Sequence, residues 1–376
     1  MKPIFVFLLF LTMTLQGQWV RNPYLDAGFY FKHASAGEQN ATLLALPTIY
    51  SFSMNDQLSL DAITTPTLAT SSEDNSSILR VSNTKFRASY VYKELLIGTF
   101  GLKLPTGTNQ FTEEQTTSAG GIATRQLAFK NANIYNSLDV SAGISSCLAF
   151  KDIGPGDLSV GLGFSYLFKG PYTPKEVPDA SFSPGNEFNT SIAAEYIFIA
   201  ADRKITSLFD LGFTVYGSDE LEDGPTIEAG LKVNWALFLA TEVIDKLPAS
   251  LRLANYKKGA STTDRDGQTT KGSDASDIVF TLKAAIPVEA LDVYQPFGSL
   301  SLASYEGEKS GIGDAFIATI GTGGSYRISE HLFTGAELGL DFGSMTGLEL
   351  DDDNKPKMKD QSVFGIEVSG NLQYKF

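Results

Sequence analysis

The sequence predicts an all-β fold, a transmembrane antiparallel up-and-down β-barrel of 14–16 strands. Three observations carry that expectation. First, apolar residues alternate with polar or small ones along most of the chain. In 362–376, Phe364, Ile366, Val368, Leu372, Tyr374 and Phe376 share one face, while Glu367, Ser369, Asn371, Gln373 and Lys375 share the other. Successive side chains of a strand point to opposite faces, so such a stretch is a strand with one apolar and one wet side. Second, these runs outlast an ordinary globular strand of about 5–6 residues and match the roughly 9–11 that a tilted strand needs to cross a bilayer. Third, short and long connections alternate, as they do in outer-membrane barrels.

Taken in order, the first spans are 24–33, 41–52 and 57–68, where the pattern is weak and Tyr50 and Phe52 close the second. The next is 84–92, ending on Tyr90 and Tyr92. Span 95–104 sets Leu96, Gly98, Phe100, Leu102 and Leu104 against Lys103. Pro105 then removes a ladder donor and Gly107 lets the chain turn away. Span 133–150 sets Leu138, Val140, Ala142, Ile144, Leu148 and Phe150 against Asp139, Ser141, Gly143, Ser145 and Cys147. Span 157–169 sets Leu158, Val160, Leu162, Phe164, Tyr166 and Phe168 against Asp157, Ser159, Gly161, Gly163, Ser165 and Lys169, with Leu167 out of phase.

The pattern continues through 188–201 and 205–217. Span 226–240 sets Ile227, Ala229, Leu231, Val233, Trp235, Leu237 and Leu239 against Glu228, Gly230, Lys232 and Asn234. Spans 248–258, 277–288, 294–305 and 314–327 follow. Span 331–343 sets Leu332, Ala336, Leu338, Leu340 and Phe342 against Glu337 and Asp341, and 362–376 completes a set of sixteen. Short turns then fall at 53–56, 93–94, 151–156, 202–204, 241–247, 289–293 and 328–330. Longer polar connections fall at 69–83, 105–132, 170–187, 218–225, 259–276, 306–313 and 344–361. Both termini land on the short-turn side, the periplasmic side of such a barrel.

Composition narrows the setting. The chain opens MKPIFVFLLFLTMTLQGQ, with Lys2 ahead of an apolar run, the layout of a secretory signal peptide; residues 1–17 are expected to be that leader and 18–376 one barrel domain. After Leu15 no window is apolar enough for a transmembrane helix. Cys147 is the only cysteine, so no intrachain disulfide forms. A formal charge of −14 argues against nucleic acid as a partner. A soluble sandwich would seldom carry strands this long, and in hydrocarbon a closed barrel pairs every backbone group without an edge. The apolar face is therefore expected to touch bilayer lipid, with aromatic residues at the strand ends as interfacial girdles.

The opposite face then lines a lumen. Its charged residues include Arg87, Lys103, Glu195, Glu228, Lys232, Arg252, Lys283, Glu337 and Asp341, of both signs, as expected for a solute pathway or for a wall stiffened by ion pairs. Acidic pairs mark the longer connections: Glu113 with Glu114, Asp219 with Glu220, Glu222 with Asp223, and Asp351 to Asp353. DRDG at 264–267 matches only the opening of a calcium loop. There is no H-E-x-x-H, no G-x-S-x-G and no Gly-rich phosphate loop, so neither an enzyme nor a cofactor is expected.

Two stretches carry a resemblance. IGTFGLKLPTG at 97–107 resembles the strand-to-loop signature of outer-membrane channels in the phenol-degradation (MetA-pathway) transporter family, which is distantly related to the long-chain fatty-acid channels. GDLSVGLGFSYLFKGPYTP, followed by SPGNEFNTSIAAEY, is similar to that family's middle hairpin. Leu372, Tyr374 and Phe376 look like the terminal signal read by the barrel-assembly machinery. The resemblance implies an outer-membrane location and passive uptake of small hydrophobic or aromatic solutes. A general, weakly selective porin and a surface-interaction barrel with an occluded lumen stay open beside it. A long connection folding inward favours selective transport, and a lumen plugged by 122–131 or by the N-terminal segment favours gating or closure.

Overall fold

The computed structural model describes residues 23–71, 77–107, 127, 137–173, 181–286, 293–306, 313–350 and 356–376, apart from positions 38, 82, 94, 223, 245 and 246. The expected leader at 1–17 lies outside them. The first elements are β1 (Tyr24–Ala36), β2 (Gln39–Ala45), β3 (Thr48–Ser53), β4 (Leu58–Thr64), β5 (Pro66–Ser71), β6 (Ser77–Val81), β7 (Thr84–Tyr92) and β8 (Leu96–Leu104). Next come β9 (Asp139–Ile153), β10 (Gly156–Lys169), β11 (Phe182–Ser183), β12 (Glu187–Ala200), β13 (Arg203–Tyr216), β14 (Ser218–Leu221), β15 (Thr226–Glu228) and β16 (Lys232–Ile244). The last are β17 (Leu247–Lys258), β18 (Thr262–Arg265), β19 (Gln268–Lys271), β20 (Ala275–Ala285), β21 (Tyr294–Glu306), β22 (Ala315–Arg327), β23 (Leu332–Leu350) and β24 (Pro356–Lys375).

Nineteen of these form one antiparallel sheet that closes on itself, because β1 pairs with β24 from Tyr24↔Lys375 to Ala36↔Val363. Closure leaves no edge to satisfy in lipid. Three barrel strands are each written as two elements. β2 and β3 keep a single register against β1 on either side of Leu46 and Pro47, and the Gly28 N–H still donates to the Pro47 carbonyl at 2.8 Å. β4 and β5 likewise flank Thr65, with the Leu46 N–H donating to the Pro66 carbonyl at 2.8 Å. Each proline lacks the donor that would make the ladder continuous. β6 and β7 flank a bulge, since their registers against the neighbouring strand (Ala69↔Ile78, Asp61↔Arg87) differ by one residue. The wall therefore has sixteen strands, the number that the alternation predicts.

One face of the wall is apolar and open: Phe100, Ile144, Phe316 and Ile320 are all more than half exposed. The other face turns inward. Lys32 on β1 reaches Asp341 on β23 across β24, over Gly365, and side chains two strands apart meet only on the concave side of a curved sheet. Outside, the aromatic rings also cover gaps in the wall. Phe29 lies opposite Gly370, where a Cβ would come within 2.6 Å of the ring.

Four expected boundaries move. The connection expected at 69–83 is largely strand, because β5 runs to Ser71 and β6 spans Ser77–Val81. The sixth strand starts at Asp139; residues 133–136 lie outside the described set. The connection expected at 344–361 is largely strand, because β23 runs to Leu350 and β24 starts at Pro356. Beyond the membrane both faces of a strand are wet, so alternation fades while pairing continues. Residues 226–228 leave the barrel altogether. They form β15 in a second sheet, ordered β11–β14–β15–β18–β19, which joins the three consecutive connections 170–186, 217–231 and 259–274 outside the wall.

Two acidic residues in or beside that sheet serve the backbone. Asp219 accepts from the Gly185 N–H at 2.6 Å and Glu222 from the Ser181 N–H at 3.1 Å. DRDG is the β18–β19 hairpin turn: Asp266 and Gly267 both have positive φ, and Asp264 accepts from the Gly267 N–H at 3.1 Å.

Candidate functional site

Among the described residues the inward face carries several groups of polar side chains, four of which involve charged pairs or clustered lysines. One is built on Lys32, whose Nζ lies 2.8 Å from Asp341 Oδ2 and 3.7 Å from Glu367 Oε2, with the Thr319 hydroxyl donating to Asp341 at 2.7 Å. The Lys32 and Asp341 side chains are both nearly closed to solvent. A second group pairs Arg87 with Asp61: Nε and Nη2 donate to one carboxylate oxygen at 2.8 and 2.6 Å, and Ser51 donates to the other at 2.8 Å. A third sets Lys283 3.7 Å from Glu337 and directly over the Phe297 ring, 3.4 Å from its centroid.

The fourth group rings part of the loop-bearing mouth. On seven consecutive barrel strands, β8, β9, β10, β12, β13, β16 and β17, the inward residue nearest that end is Lys103, Asp139, Lys169, Glu187, Tyr216, Lys232 and Lys258 respectively. Lys103 pairs with Asp139, which also accepts from the Ser137 hydroxyl, and Lys169 pairs with Glu187 at 2.6 Å. Lys232 and Lys258 sit directly opposite one another across the β16–β17 ladder. Their ammonium groups lie 5.2 Å from the Tyr256 ring centre and 5.5 Å from that of Tyr216 respectively. Lys169 approaches the same Tyr216 ring at 5.9 Å. Such cation–ring contacts are favourable electrostatic attractions.

At the loop-bearing end the other strands of the wall carry an apolar patch, while the Lys32, Arg87 and Lys283 groups stand on those same strands farther from that end. Tyr30, Ala34 and Ala36 of β1, Leu43 of β2, Ala69 of β5, Tyr305 of β21, Ile317 of β22 and Val363 of β24 form one buried cluster. Leu43 is fully buried although it stands on a barrel wall, so atoms inside the lumen must cover it. Leu127, from the connection between β8 and β9, belongs to this cluster and is itself 8% exposed. That residue enters from one of the longer connections and lies within the 122–131 stretch considered as a plug.

Of the residues singled out by sequence, Arg87, Lys103, Lys283, Glu337 and Asp341 enter the ion pairs above. Glu195, Lys232 and Arg252 stand on the same inward face. Glu228 does not. It lies in β15 of the outer sheet, beside Thr262, because the alternation of Ile227, Ala229 and Leu231 runs on smoothly into β16 while the chain has already left the wall. Leu372, Tyr374 and Phe376 face outward and are exposed; the Phe376 N–H donates to the Pro23 carbonyl at 3.0 Å, and its ring packs edge-on to Tyr374 at 5.1 Å. Lys32, Asp61 and Glu187 escaped sequence reading. Lys32 lies in the weakly patterned first strand, and a charge inside an otherwise apolar stretch was its one signal. Cys147 faces inward and is exposed.

No family model and no curated protein matches this chain. Similar solved structures include a bacterial polysaccharide outer membrane secretin, at 11% identity over 96% of this chain and 100% of that one, with a TM-score of 0.48. Others are the CymD monoaromatic hydrocarbon channel, at 13% identity over 95% and 89% with a TM-score of 0.39, and an outer membrane channel from Pseudomonas putida F1, at 10% over 95% and 98% with a TM-score of 0.36.

Proposed function

We propose that this chain is a non-enzymatic outer-membrane channel for passive uptake of small hydrophobic or aromatic solutes, with both termini on the periplasmic side. Its partners in this reading are outer-membrane lipid around the belt, the barrel-assembly machinery during insertion, and the solute. The observation that carries the reading is the division of the loop-bearing mouth. A sixteen-strand wall is wide enough to enclose an aqueous lumen, and here the loop-bearing mouth is charged from β8 to β17 while its other side is closed by an apolar cluster that includes Leu127. A general porin has no use for an apolar closure of that kind, so selective transport is favoured over free diffusion. The nature of the cargo follows the resemblance of 97–107 and 156–196.

The test is single-channel conductance of the refolded, leader-free protein in a planar lipid bilayer, with solute competition. Steady openings reduced by a small aromatic compound support selective uptake. Openings indifferent to such compounds favour a general porin. A correctly folded, heat-modifiable barrel that never conducts rejects the channel and favours the surface-interaction alternative.

A further inference from the structure

The charged arc of the mouth has an excess of cation, although the whole chain has a net charge of −14. Asp139 and Glu187 are already engaged by Lys103 and Lys169. Among the described residues no carboxylate lies within ion-pair distance of Lys232 or Lys258, and the two ammonium groups rest on tyrosine rings instead. Like charges directly opposite on neighbouring strands destabilise a sheet, yet this pair is held at the entrance of the lumen, on side chains that are only half-buried. Two adjacent cations with aromatic faces beside them are complementary to one kind of small molecule: a flat ring that bears an anionic group.

We propose that Lys232 and Lys258, with Tyr216 and Tyr256, form a binding subsite for small aromatic carboxylates at the outer mouth of the lumen. The carboxylate bridges the two ammonium groups and relieves their mutual repulsion, and the ring of the solute lies against the tyrosines. Recognition by charge-assisted hydrogen bonds selects the anion over its neutral isostere. This deepens the uptake reading by naming the chemistry of the cargo, and it rests on that reading for its physiological role.

The test uses 4-fluorobenzoate and neutral 4-fluorobenzamide as probes, followed by fluorine NMR on the full refolded barrel in zwitterionic micelles. Wild type is expected to bind the benzoate about tenfold more tightly than the amide, the effect of roughly one charge-assisted contact. K232Q/K258Q is expected to lose that preference and K232R/K258R to keep it, each checked for folding by heat-modifiable migration. Equal binding of the two probes by wild type overturns the proposal without any variant. So does a preference that survives in folded K232Q/K258Q. The channel reading fails separately: a barrel that never conducts yet still prefers benzoate leaves the subsite standing and removes the transport.

Discussion

Lys32 and Asp341 meet at 2.8 Å across an intervening strand, with both side chains less than a tenth exposed. The contact ties the first barrel strand to the second-last one, over the seam at which the sheet closes. Removing one partner of such a pair leaves an uncompensated buried charge, which costs roughly 3–5 kcal/mol. Lys32→Met is therefore expected to lower barrel stability by that order in urea unfolding followed by Trp fluorescence. The double variant Lys32→Met with Asp341→Leu should recover a large part of the loss. Equal stability of wild type and the single variant rules out a structural role for the pair.

Gly370 lies under the Phe29 ring, with the Gly335 carbonyl 3.0 Å from where its Cβ would be. The ring can swing away into lipid, whereas the carbonyl cannot move without disturbing the ladder. Gly370→Val is expected to destabilise by about 1–3 kcal/mol, as overpacking does. The comparison is the temperature at which heat-modifiable migration is lost, and an unchanged temperature refutes the close fit.

Leu127 belongs to the apolar cluster inside the wall, so a carboxylate there is expected to leave the cluster for water. Leu127→Asp should raise the open probability or the conductance in planar bilayers while folding remains intact. Conductance identical to wild type places the flow of ions elsewhere in the lumen.

Cys147 faces inward beside Gly161, on a stretch of wall made of small residues, and is exposed. In liposomes a membrane-impermeant, water-soluble maleimide is expected to label it. A cysteine placed at Ser146 in a Cys147→Ala background points at lipid and should stay unlabelled. Reversed labelling inverts the assignment of the two faces.

The alternation of residues made most of the fold legible. Phe364, Ile366, Val368 and their counterparts on the other spans mark sixteen strands and assign each side chain to lipid or lumen, because that periodicity is local to each strand. It misled where a local pattern outlived its structural cause. Ile227 and Ala229 keep the beat of β16 from within the outer sheet, and so Glu228 was placed on the barrel wall. It also fell silent where both faces are wet, at 344–350 and 356–361, so paired strand read as connection.

The sequence by itself determined that this is an all-β barrel, its strand number to within two, and which face of most strands is apolar. Those properties depend on neighbours two positions apart in the chain. Only the tertiary structure decided who meets whom on the inward face. Lys32 finds Asp341, 309 positions away in the sequence, and Leu127 joins Leu43, Ile78 and Ile317 because the closed sheet curves their strands around one space. Ring closure and register set those partnerships. Neither is written in any short stretch of sequence, since a strand's alternation is the same whichever strand lies beside it.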